Sequence, residues 1–139
     1  MKPFTLFLLI VACAFSLFAA DPAPVVPSDG AVVTVYYFHR VNRCSGCRHA
    51  EAVTTEALKE HFAAEMEKGS VIFIATPVDG DKDQKAVAAA FDAFGPSLFL
   101  EVKRDGKTDR FELDKMWDKL REGDPAYKAW VAESVRKQL

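Results

Sequence analysis

The stretch Ala31-Val32-Val33-Thr34-Val35-Tyr36-Tyr37-Phe38 is a nearly continuous run of apolar, β-branched and aromatic residues. That pattern predicts a strand covered on both faces, and therefore a central one. From Cys44 to Lys68 no proline intervenes and no glycine follows Gly46, while Val53, Ala57, Phe62 and Met66 recur at near-helical spacing and Gly69 stands where a cap belongs. A long helix beginning at Cys44 is predicted. A second apolar strand, Val71-Ile72-Phe73-Ile74-Ala75, precedes the acidic loop Asp79-Gly80-Asp81-Lys82-Asp83 and a short helix on which Val87, Phe91 and Phe94 share a face. Strand, helix, strand, helix predicts a right-handed parallel crossover unit.

The second half changes character. Ser97-Leu98-Phe99-Leu100-Glu101-Val102-Lys103, the turn pair Asp105-Gly106 and a short strand from Thr108 to Phe111 predict an antiparallel hairpin. Two helices follow: one around Asp114 to Arg121 with Trp117 and Leu120 inward, and one capped by Asp124 with Pro125 in its first turn. Tyr127, Trp130, Val131 and Val135 make a stripe at helical spacing, which reads as core packing rather than a ligand box. The fold class is α/β, a mixed sheet flanked by helices.

Composition sets the outer limits. The chain has 139 residues, 50% apolar and 27% charged, enough for one globular domain. Its 18 Lys+Arg against 20 Asp+Glu give no basic face, which argues against nucleic acid as a partner. Lys2, the apolar run from Phe4 to Phe18 and the closing Ala19-Ala20 read as a secretory signal peptide over residues 1–20, too short for the ~20 apolar residues of a spanning helix. Residues 21–30, with Pro22, Pro24 and Pro27, read as an extended tether, and 31–139 as the domain. The expected location is periplasmic or otherwise extracytoplasmic. The alternative is a lipid anchor, since Ile10-Val11-Ala12-Cys13 resembles a lipoprotein box that would attach the protein to a membrane through Cys13.

Loss of the leader leaves two cysteines, Cys44 and Cys47. A bridge between them closes too small a loop to constrain the unfolded chain, so the pair suits chemistry better than stapling. At a helix start the first sulfur meets unpaired backbone N–H groups and the positive end of the helix dipole, which favour a thiolate, while the second lies one turn inside and within reach. His39, Arg40, Arg43, Arg48 and His49 surround the pair, with no carboxylate until Glu51. His39, Arg43 and Arg48 are the candidates for tuning the thiolate, although Arg48 and His49 read equally well as solvated residues of an exposed helix turn. Cys-x-x-Cys is also half of a zinc site, but no further cysteine follows and His39, His49 and His61 lack paired ligand spacing. The reading is redox chemistry with no metal and no cofactor.

The order strand, Cys-x-x-Cys helix, strand, helix, then Pro96 opening a hairpin resembles the thioredoxin-like proteins across residues 31–139. In that family the proline at this junction is cis and lies against the dithiol, leaving neighbouring backbone free to pair with an extended substrate. The resemblance implies Gly95 and Pro96 as the substrate groove, whereas the residues alone read equally well as an ordinary helix-ending proline at a strand's first position. The chain departs from the family in having Arg43 where a Trp usually precedes the first cysteine. The buried acid of the preceding strand also has no counterpart in Val35-Tyr36-Tyr37-Phe38.

The string from Val35 to Arg40, then Arg43-Cys44-x-x-Cys47-Arg48 with Glu51, Ala52, Thr54, Glu56, Ala57 and Leu58, resembles a smaller exported family. That family is labelled a nitrophenyl-compound nitroreductase subunit and associated by name with arsenical genes. Trp117, Tyr127, Trp130, Val131 and Glu133 fit it as well. That label implies a partner-dependent reductive role, although nothing in the sequence resembles a flavin or nitro-group site. The dithiol itself reads as that of an exported thiol-disulfide oxidoreductase, with Cys44 attacking and Cys47 resolving. Its partners would be protein thiols or disulfides, or a partner reductase. The competing class is a non-enzymatic module that binds a thiophilic ion or serves as the redox subunit of a larger reductase complex.

Overall fold

β1 (Val32–His39) has a strand on each side in the sheet and helices packed over both faces, and that cover is why its sequence can be apolar on both faces. It runs parallel to β2 (Val71–Pro77), Val33 opposite Val71 and His39 opposite Pro77. On its other side it pairs antiparallel with β3 (Ser97–Arg104), Phe38 opposite Ser97. β4 (Lys107–Glu112) adds antiparallel to β3, giving the order β2-β1-β3-β4. The computed structural model describes residues 30–139. The expected leader (1–20), Cys13 and the tether up to residue 29 lie outside the described residues.

Among the described residues the expected α/β class is present as a four-stranded mixed sheet with four helices, one parallel pair and one antiparallel hairpin. Asp105 (φ 52°) and Gly106 (φ 73°) are both left-handed, as a two-residue hairpin turn between right-twisted strands requires.

Alternation along β1 assigns the two faces. Val33, Val35 and Tyr37, with Leu98, Leu100 and Val102 of β3, pack beneath α1 (Ser45–Lys68) and α4 (Asp124–Arg136), whose Ala57, Leu58, Tyr127, Val131 and Val135 complete the larger core. Burying each such aliphatic side chain stabilises the fold by ~1.5–3 kcal/mol. On the opposite face Phe38 and Phe99 meet Ala88 of α2 (Lys82–Ala90) and Phe91 just beyond it. Phe38 and Phe99 lie edge to face with ring centres 5.6 Å apart.

Local chemistry sets the helix ends. α1 stops at Gly69 (φ 77°), whose N–H reaches the Met66 carbonyl while that of Ser70 reaches Glu65, a left-handed cap that the sequence placed correctly. α2 opens on a capping box: Asp81 Oδ1 accepts the Gln84 N–H at 2.9 Å and Gln84 Oε1 accepts the Asp81 N–H at 2.9 Å.

Three expectations fail. The shared face of Val87, Phe91 and Phe94 does not form, because α2 ends at Ala90 and Asp92 turns left-handed (φ 53°); Phe91 is buried, Val87 and Phe94 are exposed. In α3 (Met116–Glu122) the buried place belongs to Met116; Trp117 is partly exposed, while Leu120 does pack on the core. The N-cap of α4 is Gly123 rather than Asp124, whose carboxylate instead accepts from His49 Nε2 at 2.8 Å. Among the described residues no helix is long and apolar enough to cross a membrane.

Candidate active site

β1 ends at His39 and a short loop delivers Cys44 to the N-cap of α1. Cys44 has an extended backbone (φ −73°, ψ 168°), and its carbonyl accepts the Arg48 N–H at 3.2 Å. Its Sγ accepts the Cys47 N–H at 3.3 Å, so sulfur fills the place where a capping oxygen usually stands. Cys44 is exposed and Cys47, one turn inside, is buried; both are free thiols. Their sulfurs are 2.9 Å apart and hydrogen-bonded.

This geometry drives the two sulfurs in opposite directions. The Cys44 thiol is drawn below the ordinary thiol range, first by the hydrogen bond with the Cys47 side chain, then by backbone N–H groups of Cys47 and Gly46. Cys47 is pushed up, chiefly by burial and by its bond to Cys44. The arrangement supports one exposed anion backed by one buried thiol.

The three candidate tuning residues point elsewhere. Arg43 is ion-paired with Glu51, and Arg48 Nη1 donates to the Arg43 carbonyl at 2.7 Å. His39 is buried and its Nδ1 donates to the Arg40 carbonyl at 2.9 Å. The principal causes of the Cys44 shift are backbone N–H groups and Cys47, not these cations.

Gly95 and Pro96 are half-buried at the end of the sheet from which β1 runs on to Cys44, since Ser97 pairs with Phe38. The expectation of a cis bond is corrected: Gly95–Pro96 is trans, as is every peptide bond among the described residues. Trans is the favoured isomer even before proline. The bend is held by Ser97 Oγ donating to the Gly95 carbonyl at 3.0 Å and Arg40 Nη2 donating to the Phe94 carbonyl at 3.3 Å.

Two residues beside the dithiol escaped the sequence reading. A side-chain carbon built on Gly46 would lie 3.9 Å from Cys44 Sγ and 4.0 Å from Cζ3 of Trp117, so α3 supplies an indole over the helix start. Arg43 holds the position directly before the first cysteine, and no local motif marks a residue so distant in the chain. The second is Tyr37, fully buried, whose hydroxyl donates to the Cys47 carbonyl at 2.8 Å. Its position on the inward parity of β1 was a signal, but as an apolar-strand residue it read as core.

No protein-family model matches this chain, and no curated protein matches it significantly. Among the described residues no group of three or more His, Cys, Asp and Glu side chains gathers in a metal-binding arrangement.

Proposed function

We propose that residues 31–139 form a thioredoxin-like thiol-disulfide oxidoreductase that works outside the cytoplasm on protein thiols or disulfides. The observation that carries this reading is the exposed Cys44 at a helix N-cap, 2.9 Å from the sulfur of buried Cys47. The strand order β2-β1-β3-β4, with the dithiol helix following the central strand and Pro96 leading into its antiparallel neighbour, supports the thioredoxin-like assignment. A protein partner is supported by apolar side chains left in water near that sheet end, Val41 (59% exposed) on the loop before Cys44 and Phe94 (80%) before Pro96. The export half of the reading rests on the apolar leader and the proline tether.

In the reductive direction the Cys44 thiolate attacks one sulfur of a partner disulfide, forming a mixed disulfide and releasing the first partner thiolate. Cys47, losing its proton, then attacks Cys44 Sγ; the mixed disulfide breaks, and the second partner sulfur leaves and takes up a proton. The partner is reduced by two electrons and the Cys44–Cys47 pair oxidised. The reverse sequence oxidises a partner dithiol.

Equilibration in a glutathione series tests the redox pair. The dithiol should convert to an internal disulfide in a single two-electron transition, with no lasting glutathione adduct, because the second thiol is already in contact with the first. Trp117 fluorescence should follow the same transition and lose its response in W117F, while W130F keeps it. A stable adduct, or a dithiol that resists oxidation throughout, contradicts the proposal.

A further inference from the structure

The resolving step poses a physical problem: Cys47 must become an anion while 7% exposed. The groups facing its surroundings are Cys44 at the cap of α1, Arg43 in the preceding loop, Tyr127 from α4, and Tyr37 and His39 from β1. Arg43 is held by Glu51. Tyr127 donates to Thr54 Oγ1 at 2.7 Å, and that hydroxyl in turn donates to the Ala50 carbonyl. The His39 ring centre is 6.0 Å from that of Tyr37, and its Nδ1 is committed to Arg40.

With Cys44 tied up in the mixed disulfide, the remaining donor of this set seated on Cys47 is the Tyr37 hydroxyl, bonded to its carbonyl at 2.8 Å. It also lies near enough to the Cys47 sulfur to favour the thiolate. Burial pushes its own ionisation well above the ordinary phenol range, so it donates a hydrogen bond and does not serve as a base.

We propose that Tyr37 is a positioning residue for resolution: its O–H turns from the Cys47 carbonyl to the Cys47 sulfur as that sulfur becomes a thiolate, and turns back when the Cys44–Cys47 disulfide closes. The Cys47 proton passes through solvent to the departing partner thiolate. No net proton moves through the phenol. This rests on the exchange reading above and assigns the hydroxyl a task within it.

Rapid-quench measurement on Tyr37→Phe separates the two steps of exchange. Formation of the mixed disulfide should stay within about twofold of wild type, and its resolution should slow about tenfold, the effect of one pH unit on the Cys47 thiolate. In a Cys44→Ser background, Y37F should shift the Cys47 thiolate absorbance titration upward by about that unit. Y127F, which removes an equally buried phenol hydroxyl directed at Thr54, should leave both readouts unchanged. Equal slowing of both steps, or an unmoved titration, overturns the proposal.

Should Y37F fail to fold, the ζ-carbon resonance of Tyr37 in isotope-labelled Cys44→Ser protein serves instead. It is expected to shift at the pH where Cys47 ionises, and a flat response overturns the proposal. A wild-type domain that exchanges no disulfide would remove the underlying function. The Cys47 titration distinguishes these failures because it needs no substrate.

Discussion

Cys47→Ser is expected to leave the protein covalently attached to its substrates. Cys44 is exposed, the backbone N–H groups that help draw its thiol below the ordinary range remain, and a serine hydroxyl can still donate to its sulfur, so the first attack survives the substitution. What is lost is a thiol placed 2.9 Å from the sulfur it must attack. A group so oriented reacts as though present at an enormous concentration, so release should slow on the order of 10³-fold or more. Mixed disulfides should accumulate and be visible as adducts on non-reducing gels that vanish on reduction. Cys44→Ser should form none, because its remaining thiol is buried and disfavoured as an anion. Adducts on Cys44→Ser in place of Cys47→Ser would reverse the two roles.

The second large effect is in thiol reactivity against pH. In the folded, reduced protein Cys44 should alkylate ahead of Cys47 by on the order of 100-fold near neutral pH, since depressed ionisation and exposure act together on Cys44 and burial opposes both on Cys47. The Cys44 rate should rise with a midpoint below the free-thiol value of ~8.5. In denaturant the two sites should react at similar rates, because the helix start and the burial are gone. Peptide mapping after timed alkylation reads all three results. The same shifts set the stability of the reduced fold. The folded Cys44 value is depressed, so its contribution is present above the unfolded ~8.5 and lost as pH falls through the folded value. The raised Cys47 acts with the opposite sign: its contribution is complete below the unfolded value and lost as pH climbs through the folded one.

Elements whose signals are local were legible in the sequence. The β1 run, the extent of α1 to Lys68, Gly69 as its cap and the Asp105-Gly106 turn each carry their own chemistry, and the structure has them in place, with a kink in α1 at Phe62 (φ −137°, ψ 28°) that no local signal marks. Expectations that depended on tertiary partners went astray. α2 ends early because Asp92 turns out of the helix while Phe91 closes on Phe38 and Phe99. Met116 displaces Trp117 from the core of α3, since a seven-residue helix carries too little periodicity to fix its phase.

At the site, the exposed and buried members of the dithiol followed from helix geometry, whereas the cations did not behave as their sequence proximity suggested. Closeness along the chain says nothing of direction: Arg43 turns to Glu51 and His39 to Arg40. Tyr37 is marked by no local pattern, because what distinguishes it is a tertiary hydrogen bond from its hydroxyl to the Cys47 carbonyl.

A reduction assay on a disulfide-bonded protein, driven by a small dithiol reductant, reads whether Cys44 and Cys47 exchange electrons with protein disulfides. Run side by side, the wild-type protein should accelerate reduction well above the reductant alone, and Cys44→Ser should fall to that background. Equal rates from the two proteins would contradict it.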